Sequence, residues 1–226
     1  MPAKNAIKEY HPGGYYHIYN RGVDKRTIFE NDKDYKTFLS FLRLYLTPPN
    51  LRGPSSQDQF PTAPTKQLNN FAGEITLLAY CLMPNHFHLL IQQSNRDSMT
   101  RFLRALSTRY SMYFNKRYDR VGSLFQGRYK AVLVSSEMQF LYLTKYIHRN
   151  PLHLPGYQPA NLLEYPYSSF RNYTGTITQN WIDHSDITSQ YINANSRNSY
   201  QFFVEEQQEI STEITTLKGL TLDWET

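Results

Sequence analysis

Apolar residues recur along this chain in two periods, and the changes between them mark out its elements. Tyr15 to Arg21 alternates as a strand does and stops at Gly22. After Asn31-Asp32, residues Tyr35, Phe38, Leu39, Leu42 and Tyr45 or Leu46 fall at helical spacing, so a capped helix is expected there. From Thr47 to Gly73 the pattern lapses. Pro48, Pro49, Pro54, Pro61 and Pro64 stand among Ser, Gln, Asn and Thr, which reads as a mobile loop or insertion over 47–73. Glu74 to Met83 and His86 to Gln93 read as two strands joined at Pro84-Asn85. An amphipathic helix follows from Ser98 to about Arg117, with Phe102, Leu103, Leu106, Tyr110 and Tyr113 on or near one stripe. Gly127 to Ser135 gives another strand. A second capped helix starts at Ser135-Ser136-Glu137 and ends at Pro151.

The resulting order, β-α-β-β-α-β-α, predicts an α+β fold: a ferredoxin-like antiparallel sheet with helices packed on it. No internal repeat is visible. Beyond Leu152 the pattern is less legible, although Tyr200, Phe202 and Phe203 before Glu205-Glu206 suggest a short packed helix. The domain expectation is a catalytic unit over 10–175, interrupted at 47–73, and a C-terminal extension over 176–226.

Charge sharpens this outline. The net charge is +5, a moderate basic excess compatible with nucleic acid. Between residues 101 and 130, Arg101, Arg104, Arg109, Lys116, Arg117, Arg120, Arg128 and Lys130 oppose only Asp119. From Gln201 onward Glu205, Glu206, Glu209, Glu213, Asp223 and Glu225 oppose only Lys218. The acidic end reads as a solvated tail. A second reading has it fold back and compete with phosphate for Arg101, Arg104 and Arg109. The 19 Tyr and 13 Phe supply core, and rings beside a basic groove can also stack bases. The single cysteine, Cys81, excludes an internal disulfide and a multi-cysteine zinc site, and reads as a core residue in a reducing cytoplasm. No run is apolar enough for a membrane span.

The candidate chemistry lies in two places. In Pro84-Asn85-His86-Phe87-His88-Leu89, strand alternation points both imidazoles to one face and Phe87 and Leu89 to the other. The two histidines, about 7 Å apart along the strand, can converge on one metal ion. In Leu141 to Pro151, Tyr146 and Asn150 are four residues apart and share a helix face. A phenol can serve as nucleophile, and an amide oxygen as a hard metal ligand. Together the four could form a metal-assisted site for attack on a phosphodiester. Tyr142, one turn earlier, is the rival tyrosine. His17 is either a neighbour of the site on an adjacent strand or structural. His148 leaves the Tyr146 face, so a surface or phosphate contact is expected of it.

These residues resemble the single-tyrosine HUH transposases, the IS200/IS605 type and the REP-associated tyrosine transposases. The resemblance rests on His86-Phe87-His88, on Tyr146-Ile147-His148-Arg149-Asn150-Pro151, and on Tyr16 to Gly22, Gly127 to Lys130 and Tyr167 to Tyr173. It covers roughly residues 10 to 175. It implies a metal-dependent single-strand DNA endonuclease and strand-transferase that nicks DNA near hairpins. Tyr146 would form a 5′-phosphotyrosine, and His86, His88 and Asn150 would hold Mg²⁺ or Mn²⁺. The partner implied is single-stranded DNA with a REP-like or transposon-end hairpin, met by a monomer or homodimer. Arg101, Arg104, Arg109, Lys116, Arg117, Arg128 and Lys130 are the candidate phosphate contacts. The alternatives are a non-catalytic hairpin-binding regulator that has kept the fold and a metal phosphodiesterase that uses water.

Overall fold

The computed structural model of the chain describes residues 10–52, 69–189, 191 and 199–206. Strand β1 (Tyr15–Arg21) is followed by helix α1 (Asp32–Leu46), the hairpin β2 (Ile75–Met83) and β3 (His86–Gln93), helix α2 (Ser98–Arg117), strand β4 (Lys130–Val134) and helix α3 (Glu137–Arg149). The four strands form one sheet in the order β2-β3-β1-β4, every pairing antiparallel. This is the ferredoxin-like arrangement that the alternation of periods predicts. The caps are those visible in the sequence. Asn31 accepts a hydrogen bond from the Lys33 backbone N–H at the head of α1, and Ser136 accepts one from Gln139 at the head of α3.

The sheet is covered on both faces, in keeping with β2, which is apolar at nearly every position. Helices α1 and α2 pack on one face through Phe38, Leu42, Phe102, Leu106 and Tyr110, against Ile18, Phe87, Leu89 and Ile91. Helix α3 packs on the other face through Leu143 and Ile147, against Ala79, Cys81, Met83 and Leu90. Phe87 and Leu89 therefore face α1 and α2, while their alternates His86 and His88 face α3. Strand β2 changes parity partway along: a bulge between Leu77 and Ala79 leaves Leu78 without a partner in the ladder.

The segment after α3 shields the free edge of β2. Tyr165 and Tyr173 donate their hydroxyls to the carbonyls of Leu82 and Leu78. The Leu82 N–H donates to the Tyr167 carbonyl, the Tyr80 N–H to the Ser169 hydroxyl, and the Asp183 N–H to the Leu77 carbonyl. Edge groups that could template pairing with another chain are thereby satisfied internally. Two further short helices, α4 (Phe170–Tyr173) and α5 (Ser185–Thr188), continue this cover, and α6 (Tyr200–Glu205) lies against α3.

Three expectations change. Residues 47–73 are not loop throughout, because Phe71 is 1% exposed inside the α1–α2 core and its N–H bonds the Tyr45 carbonyl. Of the loop expected over 47–73, residues 53–68 lie outside the described residues. The acidic end does not begin as a solvated tail: Tyr200 and Val204 are buried against α3, and Arg149 donates to the carbonyls of Val204 and Glu206. As far as Glu206 the chain lies on the α3 side of the sheet, away from the arginines of α2. The remainder of that acidic end lies outside the described residues. His148 is not on the surface. It is buried between the Tyr200 hydroxyl (2.7 Å) and the Ser169 hydroxyl (2.8 Å), joining α6 and the β2 cover to α3.

Burial holds the His148 pKa near 3, below the 6.5 of an ordinary imidazole. Unfolding restores the ordinary value, so between about pH 6.5 and 3 the unfolded chain binds the extra proton and acid weakens the fold. His148→Gln keeps a donor and an acceptor for the two hydroxyls but cannot titrate. Its urea midpoint should fall less than the wild-type midpoint between pH 7 and pH 4, and equal falls would show that His148 is not the responsive group.

Candidate active site

Four elements bring the candidate residues together. Register across the sheet places Tyr19 of β1 opposite His88 and Arg21 opposite His86, all on the face covered by α3. Helix α3 then lays Tyr146 over the histidines. Its ring meets His88 edge-on at 5.6 Å between centroids and His17 edge-on at 6.1 Å. Tyr146 is half-buried, so the ring is held while one side remains accessible. Tyr142, one turn earlier, packs on Phe203 of α6 instead. The helical spacing that made Tyr142 a rival thus separates the two residues in space.

Asn150 closes the cluster. The helix cannot continue through Pro151, which has no N–H to give, and the chain tightens into a 3-10 turn over Asn150–His153. Asn150 is 2% exposed, and its Nδ2 donates to the Tyr146 carbonyl at 2.9 Å. This bond caps a carbonyl at the helix end and turns Oδ1 toward His86. Oδ1 of Asn150 and Nε2 of His86 are 3.5 Å apart. That is long for a hydrogen bond and suits two ligands each about 2.1 Å from a shared ion.

The histidine tautomers follow partly from their partners. Asn85 donates through Nδ2 to the Lys25 carbonyl at 3.2 Å, so its Oδ1 faces His86 and accepts from Nδ1 at 2.7 Å. His86 therefore carries its proton on Nδ1 and presents the Nε2 lone pair toward Asn150. His88 is fully buried, with Nδ1 2.9 Å from Nε2 of His17. Its Nε2 is buried and has no hydrogen-bond partner among the described residues. Burial keeps both imidazoles uncharged: it lowers His86 to about 4 and His88 well below the usual range. The neighbouring imidazoles add to the effect, Arg21 adds to it at His86, and the Asn150 contact opposes it there.

A site of this kind fits a divalent cation. A neutral imidazole whose Nε2 is buried and unpartnered offers a lone pair with nothing else to bind, and His86 and Asn150 present two more donors beside it. Among the described residues, no three His, Cys, Asp or Glu side chains converge on one point. The amide oxygen of Asn150, 3.5 Å from Nε2 of His86, offers a donor of another kind beside the two imidazoles.

The basic residues are distributed differently from their sequence grouping. Of the seven candidate phosphate contacts, Lys130 shares the face of the histidines: it stands opposite Tyr19 and reaches over that ring at 5.8 Å. Arg101, Arg104, Arg109, Lys116 and Arg117 lie on α2, across the sheet. Arg101 pairs with Glu74 and Asp97, Arg117 with the buried Asp34, and Arg109 covers the Phe41 ring. Arg104 and Lys116 are exposed on α2, and Arg128 is exposed with its field on Tyr10. Arg21, beside His86, is the nearer cation and also bonds Gln126. Asn85 was missed as a supporting residue. Its adjacency to His86 is visible in the sequence, but the Lys25 carbonyl that orients it is not. Gly22, which ends β1 next to this site, is required by sterics: a Cβ there would lie 2.3 Å from the Arg26 carbonyl oxygen.

Part of the sequence and the fold are similar to known proteins. Residues 65–150 match the family described as "Transposase IS200 like", a stretch that contains His86, His88, Tyr146 and Asn150. The fold is shared with a REP-associated tyrosine transposase solved bound to a REP hairpin: TM-score 0.53, 11% identity, 80% of this chain and 94% of that one. A presumptive transposase from Deinococcus radiodurans R1 overlaps 66% of this chain and 96% of its own at 15% identity, with a TM-score of 0.36 that carries no weight. No curated protein matches the chain. The matched stretch includes the whole of β3, with the histidine pair, and the whole of α3, with Tyr146. Among the described residues, no helix is long and apolar enough to cross a membrane.

Proposed function

We propose that this protein is a metal-dependent single-strand DNA endonuclease and strand-transferase. In this reading Tyr146 is the nucleophile and His86, His88 and Asn150 hold Mg²⁺ or Mn²⁺. The observation that carries it is the orphaned, buried Nε2 of His88, set beneath the Tyr146 ring and beside the His86–Asn150 pair. A buried polar atom without a partner costs stability, and a ligand role accounts for it.

In the reaction the Tyr146 oxygen forms a bond to the phosphorus of a DNA phosphodiester and the bond to the 3′-oxygen breaks. The phenolic proton passes to solvent water, and the departing 3′-oxygen takes up a proton from solvent to become the 3′-hydroxyl. An ordinary phenol titrates near pH 10, so it needs help at neutral pH. The bound cation would polarise the phosphate and stabilise the charge that develops on its oxygens. The 5′-phosphotyrosine conserves the phosphodiester energy, so a 3′-hydroxyl can reverse the step and join strands without ATP. His86 and His88 remain neutral through burial, which keeps their lone pairs available. Lys130 and Arg21 attract the DNA backbone on the same face.

The hairpin in the solved REP-associated relative suggests a hairpin-bearing single strand as substrate here. The direct test is to incubate the full chain with Mn²⁺ and a library of hairpin-bearing single strands, then recover DNA joined to protein under denaturing conditions. A covalent tyrosine adduct supports the reading; cleavage without any adduct would indicate water as nucleophile instead. For binding, Lys130→Ala should weaken hairpin affinity and lower the slope of log K against log salt by about one. Arg104→Ala, across the sheet, should change it less, and the reverse ranking would place the DNA path on α2.

A further inference from the structure

We propose that His17 is a positioning residue: by accepting a hydrogen bond from Nδ1–H of His88, it fixes the tautomer that leaves Nε2 of His88 free to bind the cation. This rests on the metal reading given above.

The argument begins with one shared proton. Nδ1 of His88 and Nε2 of His17 are 2.9 Å apart, and both rings are fully buried. Two neutral imidazoles at that distance share one N–H between the facing nitrogens, so one ring donates and the other accepts. If His17 donated, His88 would carry its other hydrogen on Nε2. That would leave a buried N–H with no acceptor, pointing where a ligand lone pair is needed. If His88 donates, Nε2 is a bare lone pair. The orphaned atom and the short contact are then explained by a single arrangement. It repeats what Asn85 does for His86, where an amide oxygen holds the proton on Nδ1. Both histidines of the pair are thus held from behind, one by Asn85 and one by His17.

The chemistry of this support is distinctive. Histidine ligands usually donate their second N–H to a carboxylate, a backbone carbonyl or water. Here the acceptor is another imidazole, stacked on His88 with 18° between planes and 5.1 Å between centroids. Among the described residues, imidazoles act on both His86 and His88, and Arg21 acts on His86. Two imidazoles and an amide bring no negative charge of their own, so the charge of a bound cation would stay directed at an anionic phosphate. The same neutrality should make the cation exchangeable rather than permanent.

The first test uses the wild-type full chain, labelled with ¹⁵N-histidine, without metal and at mildly alkaline pH. Long-range ¹H–¹⁵N correlation should show His88 and His17 both protonated on Nδ1. An Nε2–H tautomer at His88 would overturn the proposal. The second test measures Mn²⁺ binding by the paramagnetic signal of free Mn²⁺, apart from any turnover. His17→Phe keeps a stacked ring but cannot accept, and should weaken Mn²⁺ binding by about 10–100-fold. His17→Gln, which offers an accepting oxygen, should recover much of that loss. A folded His17→Phe that binds Mn²⁺ within twofold of wild type would overturn the positioning role while leaving the metal site standing. Absence of Mn²⁺ binding in the wild type that His88→Ala can remove would overturn both.

Discussion

Tyr146→Phe should abolish DNA cleavage and covalent adduct formation while leaving the fold and hairpin binding intact. The substitution removes one oxygen. The ring that meets His88 and His17 edge-on remains, so the packing of α3 on the sheet is unchanged. Affinity resides mainly in phosphate contacts, which the hydroxyl does not supply. Loss of a nucleophile that nothing replaces costs several orders of magnitude, and a drop of at least about 10³-fold is expected. Tyr142→Phe is the matched control. It sits on the same helix one turn earlier, but its ring packs on Phe203 rather than on the histidines. It should cleave as wild type does. An inactive Tyr142→Phe beside an adduct-forming Tyr146→Phe would transfer the nucleophile to Tyr142.

Much of this site could be read from the order of residues, because two local periods do most of the placing. Strand alternation puts His86 and His88 on one face, and a four-residue helical step stacks Tyr146 with Asn150. What the sequence left open is how those two local groups meet, which depends on register between distant strands. His17 and Tyr19 alternate just as His86 and His88 do. That Tyr19 stands opposite His88, and that His17 reaches its Nδ1, emerges only when β1 is paired to β3. His148 shows the opposite failure. Its position off the Tyr146 face suggested solvent, but that side of α3 is covered by α6 and by the segment containing Ser169. Those covering elements are short and irregular, and neither period announces them. The β2 bulge was hidden for a related reason: in Ile75-Thr76-Leu77-Leu78-Ala79-Tyr80-Cys81-Leu82-Met83 nearly every residue is apolar, so no polar alternate marks the change of parity. The cations were grouped by proximity in sequence. The sheet then separated them, with Lys130 on the histidine side and the α2 arginines on the other.

The second large effect concerns the metal. EDTA, or His86→Ala with His88→Ala, should reduce cleavage by about 10²–10⁴-fold, the range expected when preorganised stabilisation of phosphate charge is lost. Hairpin binding should largely survive, because the cations that attract phosphate do not depend on the histidines. The two substitutions differ in their structural consequences. His88 is fully buried, so His88→Ala opens a cavity and strands the facing nitrogen of His17. His88→Gln retains bulk and a polar atom, and is the cleaner probe of ligation. His86 is half-buried and is held from one side by Asn85, so its removal disturbs packing less. Asn150→Ala should be milder than either histidine change for metal affinity, since water can supply an oxygen ligand in place of the amide. It also removes the hydrogen bond to the Tyr146 carbonyl, and with it the cap that ends α3 beside the proposed nucleophile. Excess Mn²⁺ should therefore restore the metal occupancy of Asn150→Ala but not its full rate. Occupancy and rate that recover together would make Asn150 a ligand alone. Undiminished cleavage by the double histidine variant in EDTA would remove the cation from the reaction.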